Sequence, residues 1–415
     1  MVGGTAVVAV GLTVTGLATI VMMALSARSL IPEEYAAFAV WWTVATLLGT
    51  SFGVFEAYLA RLLIRESARG QETRVVTGLM IGRSGAVVAV LAVGLVASSS
   101  VLASRLFAGH VAAAVALPLF IALAAAQAVQ RGAMTGRRDF AAIAVQLSAD
   151  GLTRTVFVVI LVWSGLDSVT TLALACIAAA ALSLVAGGRK LGPWLATPRL
   201  RGREAAIGPL LYLLAGSVGP LLANNGSVPW LAATDSVDAY VLGAFAGAVT
   251  LSRIPTQFIS AVFSPLMAHL SQAVEAGDER TFRHLRRRAE VLAAMLGALY
   301  VAAFAILGPW VLSVYLGPDY RLSRGVLAIL AAASSGMFVI VVQQAGLAAL
   351  DRWARIAFAW AFGTLAFVLV LVVPVDPLMR AALAPAAAVA TALLAMSLLG
   401  RGLSSVPGRV PGAGS

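Results

Sequence analysis

A chain of 415 residues with 29 basic residues against 18 acids, formal net charge +11, is 60% hydrophobic and only 11% charged. That leaves too little polar surface for a soluble globule of this length and places the chain in lipid. The positive excess does not point to nucleic acid, because the basic residues lie in short stretches between long apolar runs, where the charge asymmetry of membrane insertion accounts for them.

The first apolar run, near 3–26, follows no basic segment and is longer than a signal-peptide core, so it is expected to remain as a first span. Requiring about 20 apolar residues per crossing, further spans are expected near 36–60, 77–103, 111–130, 141–163 and 169–188. A connector, 189–206, follows; it carries Arg189, Lys190, Arg199, Arg201 and Arg203, and its prolines and glycines argue against a helix running through it. Spans are then expected near 207–232, 239–268, 290–313, 324–349, 353–374 and 378–400, before a tail at 401–415. The expected architecture is all-α, about twelve transmembrane helices in two six-helix lobes, 1–188 and 207–400. With an even number of spans both termini share one side, whose loops hold about 21 cations against about five on the other, so connector, termini and tail are expected in the cytoplasm. Trp41, Trp42, Trp163, Trp194 and Trp310 fall near span ends and read as interfacial anchors. The segment from Glu275 to Glu290, dense in both signs, reads as a surface helix that turns its arginines to lipid phosphates or docks a biosynthetic partner.

The single cysteine, Cys176, has no partner for a disulfide, the three histidines are far apart, and neither a metal-ligand spacing nor a phosphate-binding loop occurs. No cofactor, no metal and no enzymatic activity is therefore expected.

The halves carry signs of duplication. Glu34-Tyr35 and Asp238-Ala239-Tyr240 open the second and eighth spans, Gly70-Gln71-Glu72 and Gly277-Asp278-Glu279 occupy equivalent turns, and Gln130-x-Gly132 with Arg138 recurs as Gln344-x-Gly346 with Arg352. A repeat of six spans keeps its orientation, so the implied pseudo-twofold runs along the membrane normal and the two lobes enclose a cavity.

Ala27-Arg28-Ser29-Leu30-Ile31-Pro32-Glu33-Glu34-Tyr35 resembles the A-R-x-L-x-P-x-x-[YF] signature of polysaccharide (oligosaccharide) flippases, Wzx-like members of the multidrug/oligosaccharidyl-lipid/polysaccharide exporter superfamily. Phe55-Glu56 through Arg61, Arg131-Gly132 through Phe140, Arg253-Ile254-Pro255, Pro265 and Leu316-Gly317-Pro318-Asp319-Tyr320 are similar to later motifs of that family. The resemblance implies a flippase that carries polyprenyl-pyrophosphate-linked oligosaccharide across the cytoplasmic membrane by alternating access, working with membrane lipids and with a glycan polymerase or glycosyltransferases. Many relatives have an aspartate in the seventh span where Asn224-Asn225 stands here, which puts carboxylate-based cation coupling at that position in doubt.

Charges inside spans are costly unless paired or facing water, so they are the candidate site residues. Arg253 lies deep in the eighth span beside Pro255, as a ligand for pyrophosphate or as a structural partner of a carbonyl or acid. Asp150 and Arg154 stand one turn apart as an intrahelical pair, with Arg154 free to touch substrate as the rival reading. Glu56 either pairs with Arg61, itself a candidate substrate contact, or takes up H+ or Na+. Arg83 either snorkels to the cytoplasmic surface or meets substrate. Arg28, by the resemblance, is a cavity residue, with Glu33 and Glu34 beside it; Asn224 and Asn225 complete the set. A drug/cation antiporter of the same fold and a non-transporting scaffold for glycan assembly remain as alternatives.

Overall fold

A computed structural model describes residues 2–68, 73–188, 207–260 and 263–400; the expected connector at 189–206 and tail at 401–415 lie outside the described residues. Every regular element among the described residues is a helix. The first half holds α1 (Val2–Ser29), α2 (Pro32–Ser51), α3 (Gly53–Ala68), α4 (Thr73–Ala97), α5 (Ser99–Leu106), α6 (Val111–Gly136), α7 (Phe140–Trp163) and α8 (Val169–Gly188). The second holds α9 (Ile207–Asn225), α10 (Ser227–Ala233), α11 (Ala239–Ser252), α12 (Ile254–Ser260), α13 (Phe263–Glu275), α14 (Glu279–Leu316), α15 (Arg324–Ala349), α16 (Trp353–Leu371) and α17 (Pro377–Gly400). Ten helical stretches among the described residues are long and apolar enough to cross a bilayer, and the chain is a multi-pass membrane protein.

The expected seventh and eighth spans differ from the rest, being assembled from short helices. α9 stops at Asn225 and α10 starts at Ser227, because Pro229 has no N–H to give to the Asn225 carbonyl. α11 stops at Ser252 and α12 starts at Ile254, because Pro255 likewise leaves the Leu251 carbonyl without its donor and crowds it. The second span is also interrupted, at Phe52 between α2 and α3. By contrast the charged segment after Glu275 is not a separate surface helix. The chain turns at Gly277 (φ +69°), Asp278 caps by accepting from the Thr281 N–H at 2.9 Å, and α14 then runs unbroken for 38 residues through the ninth span.

Contacts divide the chain into two compact units. The first comprises Met1–Leu214, Val228–Leu251 and Val311–Arg321, the second Ala215–Ser227, Ser252–Trp310 and Leu322–Ser415. Within the first, α1 packs on α7, α3 on α6, and α8 on both α6 and α7. Gly151 makes the α1–α7 approach possible, since a Cβ there would stand 2.8 Å from the Thr15 Cα. Within the second unit α13 packs on α15, and α17 on both α15 and α16. Gly219 plays the corresponding part for α9 and α16, where a Cβ would lie 2.8 Å from the Trp360 carbonyl oxygen. One polar bond also recurs: Gln127 of α6 donates to Ser183 Oγ of α8 at 2.5 Å, and Gln343 of α15 donates to Ser397 Oγ of α17 at 2.9 Å. A glutamine–serine bond thus fastens the fourth span to the sixth and the tenth to the twelfth.

Of the expected interfacial tryptophans, Trp163 and Trp310 are exposed, but Trp41 and Trp42 are buried in the first unit, where Trp41 Nε1 donates to the Ala113 carbonyl at 2.9 Å. Their place near a span end misled, because α2 packs inward on nearly all sides over Tyr35–Ala45. Trp194 lies outside the described residues.

Candidate functional site

The two breaks in the seventh and eighth spans meet in the second unit. Arg253 occupies the turn between α11 and α12, and its Nη1 donates to Asn225 Oδ1 at 2.6 Å; Asn225, itself buried, is the last residue of α9. The break is held locally. Thr256 Oγ1 donates to the Arg253 carbonyl at 2.5 Å, Tyr300 Oη to the Ser252 carbonyl at 3.2 Å, and Ser334 Oγ to Ser252 Oγ at 3.2 Å. Asn224 turns its amide back to the Pro220 carbonyl at 2.8 Å, within its own helix. Arg253 Nη2 is shut off from solvent without a hydrogen-bond partner among the described residues, and no described carboxylate pairs with the guanidinium. One tooth of the fork is thus fixed by Asn225 and the other is free to take an anionic oxygen.

A second polar cluster lies within the first unit. Arg154, buried on α7, sits with Nη2 3.5 Å from Asp150 Oδ2, donates to Thr19 Oγ1 at 3.2 Å and lies 4.4 Å over the Trp42 ring. Asp150 Oδ1 accepts from Gln127 Nε2 at 3.2 Å, the same amide that reaches Ser183 and the Ala180 carbonyl. The intrahelical pair is present, and helices α1, α2, α6, α7 and α8 all contribute to its surroundings. Beside it, Gln146 and Gln130 are hydrogen-bonded, and Gln130 donates to the Leu184 carbonyl at 3.0 Å. Arg154 Nε is buried and has no hydrogen-bond partner among the described residues.

The remaining candidates are dispersed. Glu56 pairs with Arg131 of α6 at 2.8 Å, whereas Arg61 is exposed on α3; the next residue, Gly132, brings α6 so close that a Cβ would stand 2.8 Å from the Glu56 carbonyl oxygen. Arg83 is half-buried on α4, with Nη1 enclosed and without a hydrogen-bond partner among the described residues. Arg28 is exposed and donates to the Val314 carbonyl, while Glu34 is half-buried at the start of α2. Tyr35, which closes the signature, is fully buried edge-on to Tyr320 with centroids 5.3 Å apart, and Tyr240 meets Tyr320 at the same separation. The Tyr320 hydroxyl is pushed up to about 12, first by burial and then by Tyr240, Glu33 and Asp319. Two motifs some 290 residues apart in sequence, ending in Tyr35 and in Tyr320, are therefore one aromatic contact within the first unit.

Sequence reasoning did not single out Gln127, Gln146, Ser183, Thr19 or Arg131 as partners, nor Trp42 as the ring beneath Arg154. The available signal was the occurrence of glutamines inside apolar helices, which are placed there to bond across helices.

No family profile matches the sequence. The chain is 28% identical over 371 residues to the uncharacterized protein Rv1510 of Mycobacterium tuberculosis, covering 84% of this chain and 80% of that protein. It is 26% identical over 398 residues to a second uncharacterized protein of that organism, Rv3630, covering 90% and 86%. Among solved structures, an inward-facing multidrug resistance MATE family transporter of the MOP superfamily superposes with a TM-score of 0.73 at 11% identity, over 94% of each chain. A eukaryotic MATE transporter gives 0.67 at 13% identity, over 96% of this chain and 93% of that one. A Pyrococcus furiosus MOP superfamily transporter, described as having a binding pocket of reverse polarity, gives 0.57 at 14% identity, over 95% and 92%. The fold is therefore that of the MATE transporters, twelve helices in two lobes, as the sequence predicted.

Proposed function

We propose that the chain is a secondary transporter that carries an anionic, lipid-linked oligosaccharide across the cytoplasmic membrane by alternating access of its two lobes. The observation that supports this is Arg253, a guanidinium held by Asn225 between two broken helices, with one N–H group enclosed and unsatisfied among the described residues. A cation inside a span is costly unless it is paired or faces a water-filled cavity, no described carboxylate pairs with this one, and broken spans are where transporters of this kind bind their cargo. Arginine is suited to pyrophosphate, because it stays charged and presents parallel donors to phosphate oxygens. The lobes in this reading are 1–188 and 207–400, joined by a cytoplasmic connector at 189–206, with both termini in the cytoplasm. Asn225 is a further contact for the headgroup, and uptake of H+ or Na+ at Glu34 is a coupling route. A glycan polymerase or glycosyltransferase supplies or receives the cargo.

A second reading, a multidrug antiporter, is favoured by what the structural neighbours are called. Against it, Asp150 and Glu56 are already matched by Arg154 and Arg131, which leaves neither free to attract a cationic drug.

The test is transport in proteoliposomes of a fluorescent polyprenyl-pyrophosphate oligosaccharide beside a cationic dye. Arg253→Gln, at unchanged membrane abundance, should weaken glycolipid transport by about tenfold to a hundredfold, the worth of one charge-assisted fork. Arg253→Lys should restore it in part. Full glycolipid transport by Arg253→Gln, or proton-driven uptake of the dye with no glycolipid movement, would refute the assignment.

A further inference from the structure

The 38 residues of α14 make a rod of about 57 Å at the α-helical rise, whereas the hydrocarbon layer is about 30 Å thick. The excess lies at the N-terminal end, where Glu279–Glu290 carries Arg280, Arg283, Arg286, Arg287 and Arg288 with His284. These cations are not equivalent. Arg283 pairs with Glu279 at 3.7 Å, and Arg286 pairs with Glu290 at 3.0 Å and lies against Gly346 of α15. Arg287 and Arg288 are exposed, and neither is paired with a described carboxylate.

Their position on the helix identifies what they face. Leu292, Met295 and Leu299 are 59%, 66% and 68% exposed, a stripe of large apolar side chains that acyl chains would cover, on a helix apolar enough to cross a bilayer. Arg288 precedes these residues by four, seven and eleven positions, so it stands on the same face, about one turn or 6 Å outside the stripe. Arg287 stands in the same relation to exposed Val291, and exposed His284 is one further turn out from Arg288. The face that meets acyl chains thus continues directly into two adjacent unpaired guanidinium groups at headgroup depth.

We infer that Arg287, Arg288 and His284 form a binding site for an anionic glycerophospholipid of the bilayer itself, separate from the cargo at Arg253. The phosphate is held by the two guanidiniums, His284 reaches the headgroup beyond it, and the acyl chains lie along Leu292, Met295 and Leu299. Such a lipid fixes the depth of α14 in the membrane. The inference does not depend on what the protein transports.

The probe is phosphatidylglycerol. The full-length protein in nanodiscs of phosphatidylglycerol and phosphatidylcholine should enrich the anionic lipid in its bound shell, and the enrichment should fall as salt rises. Each arginine near the surface is worth roughly fivefold in partition, so Arg287→Gln with Arg288→Gln should lose on the order of 25-fold. The charge-keeping pair Arg287→Lys with Arg288→Lys should retain most of the enrichment, and Arg283→Gln should leave it unchanged. Equal enrichment in the double glutamine variant and the parent would overturn the proposal. So would a double variant that keeps its phosphatidylglycerol but loses bound polyprenyl pyrophosphate, since the face would then belong to the cargo.

Discussion

Removing one member of the Asp150–Arg154 pair should cost far more than removing both. In Arg154→Met, Asp150 keeps the Gln127 amide at 3.2 Å but no cation among the described residues, and becomes an uncompensated charge inside the first unit. Breaking a buried pair in this way costs about 3–5 kcal/mol, and the 3.5 Å separation with an Asp150 side chain 20% exposed points to about 3. Loss of the guanidinium over Trp42 adds about 1 kcal/mol, for a total of about 4. Asp150→Asn leaves Arg154 on Thr19 and Trp42, and should cost about 2 kcal/mol. The double variant buries no charge, and should cost about 3 kcal/mol rather than the additive value of about 6. Thermal or denaturant unfolding of the four purified proteins in one detergent, followed by tryptophan fluorescence, closes the cycle. Costs that add to within about 0.5 kcal/mol would refute the reasoning, because they would mean that the two side chains do not feel each other.

Tyr320 supplies a pH-dependent prediction. Its hydroxyl, held at about 12 in the folded protein against an ordinary value near 10, favours the neutral form; the stability it contributes is complete below pH 10 and is lost between pH 10 and 12. Absorbance at the tyrosinate band should show one late-titrating tyrosine fewer in Tyr320→Phe, and a Tyr320 that ionises at its ordinary pH would contradict the burial described. Cysteines at Asp235 and Gly277, which flank the eighth span, should be labelled by a membrane-impermeant reagent from opposite sides, with Gly277 accessible only from the cytoplasm. Labelling of both from one side would remove a span from the fold.

Much of the architecture could be read from the sequence because lipid leaves a helix few alternatives, so apolar length gives the spans. The breaks were half legible. Pro255 marked the eighth span, but Pro229 drew no notice, since prolines are tolerated in membrane helices and only packing shows which ones interrupt them. Asp150 and Arg154 were found because a spacing of four is a property of one helix. Glu56 was harder, since Arg131 is 75 residues away and the two meet because α3 packs on α6, with close approaches at Gly132 and Gly136. Trp42 was misread for the same reason: proximity to a span end is visible in sequence, but the face a helix turns inward is set by its neighbours. The unbroken course of α14 was missed because its polarity changes abruptly at Val291 while its backbone does not.

The matching clasps of Gln127 on Ser183 and Gln343 on Ser397 bear on ancestry. A six-helix precursor with both ends on one face of the bilayer would have assembled as a parallel homodimer about an axis normal to the membrane. In that precursor every side chain was obligatorily present twice. Fusion of two such copies would release them from this constraint while leaving bonds within each copy, such as the clasps, in place. The first copy could then acquire a neutralised pair at Asp150 and Arg154, and the second a cation at Arg253 with an N–H unsatisfied among the described residues. The halves of the fused chain need not carry equivalent charges, and here a paired Asp150 and Arg154 stand in one while Arg253 on Asn225 stands in the other.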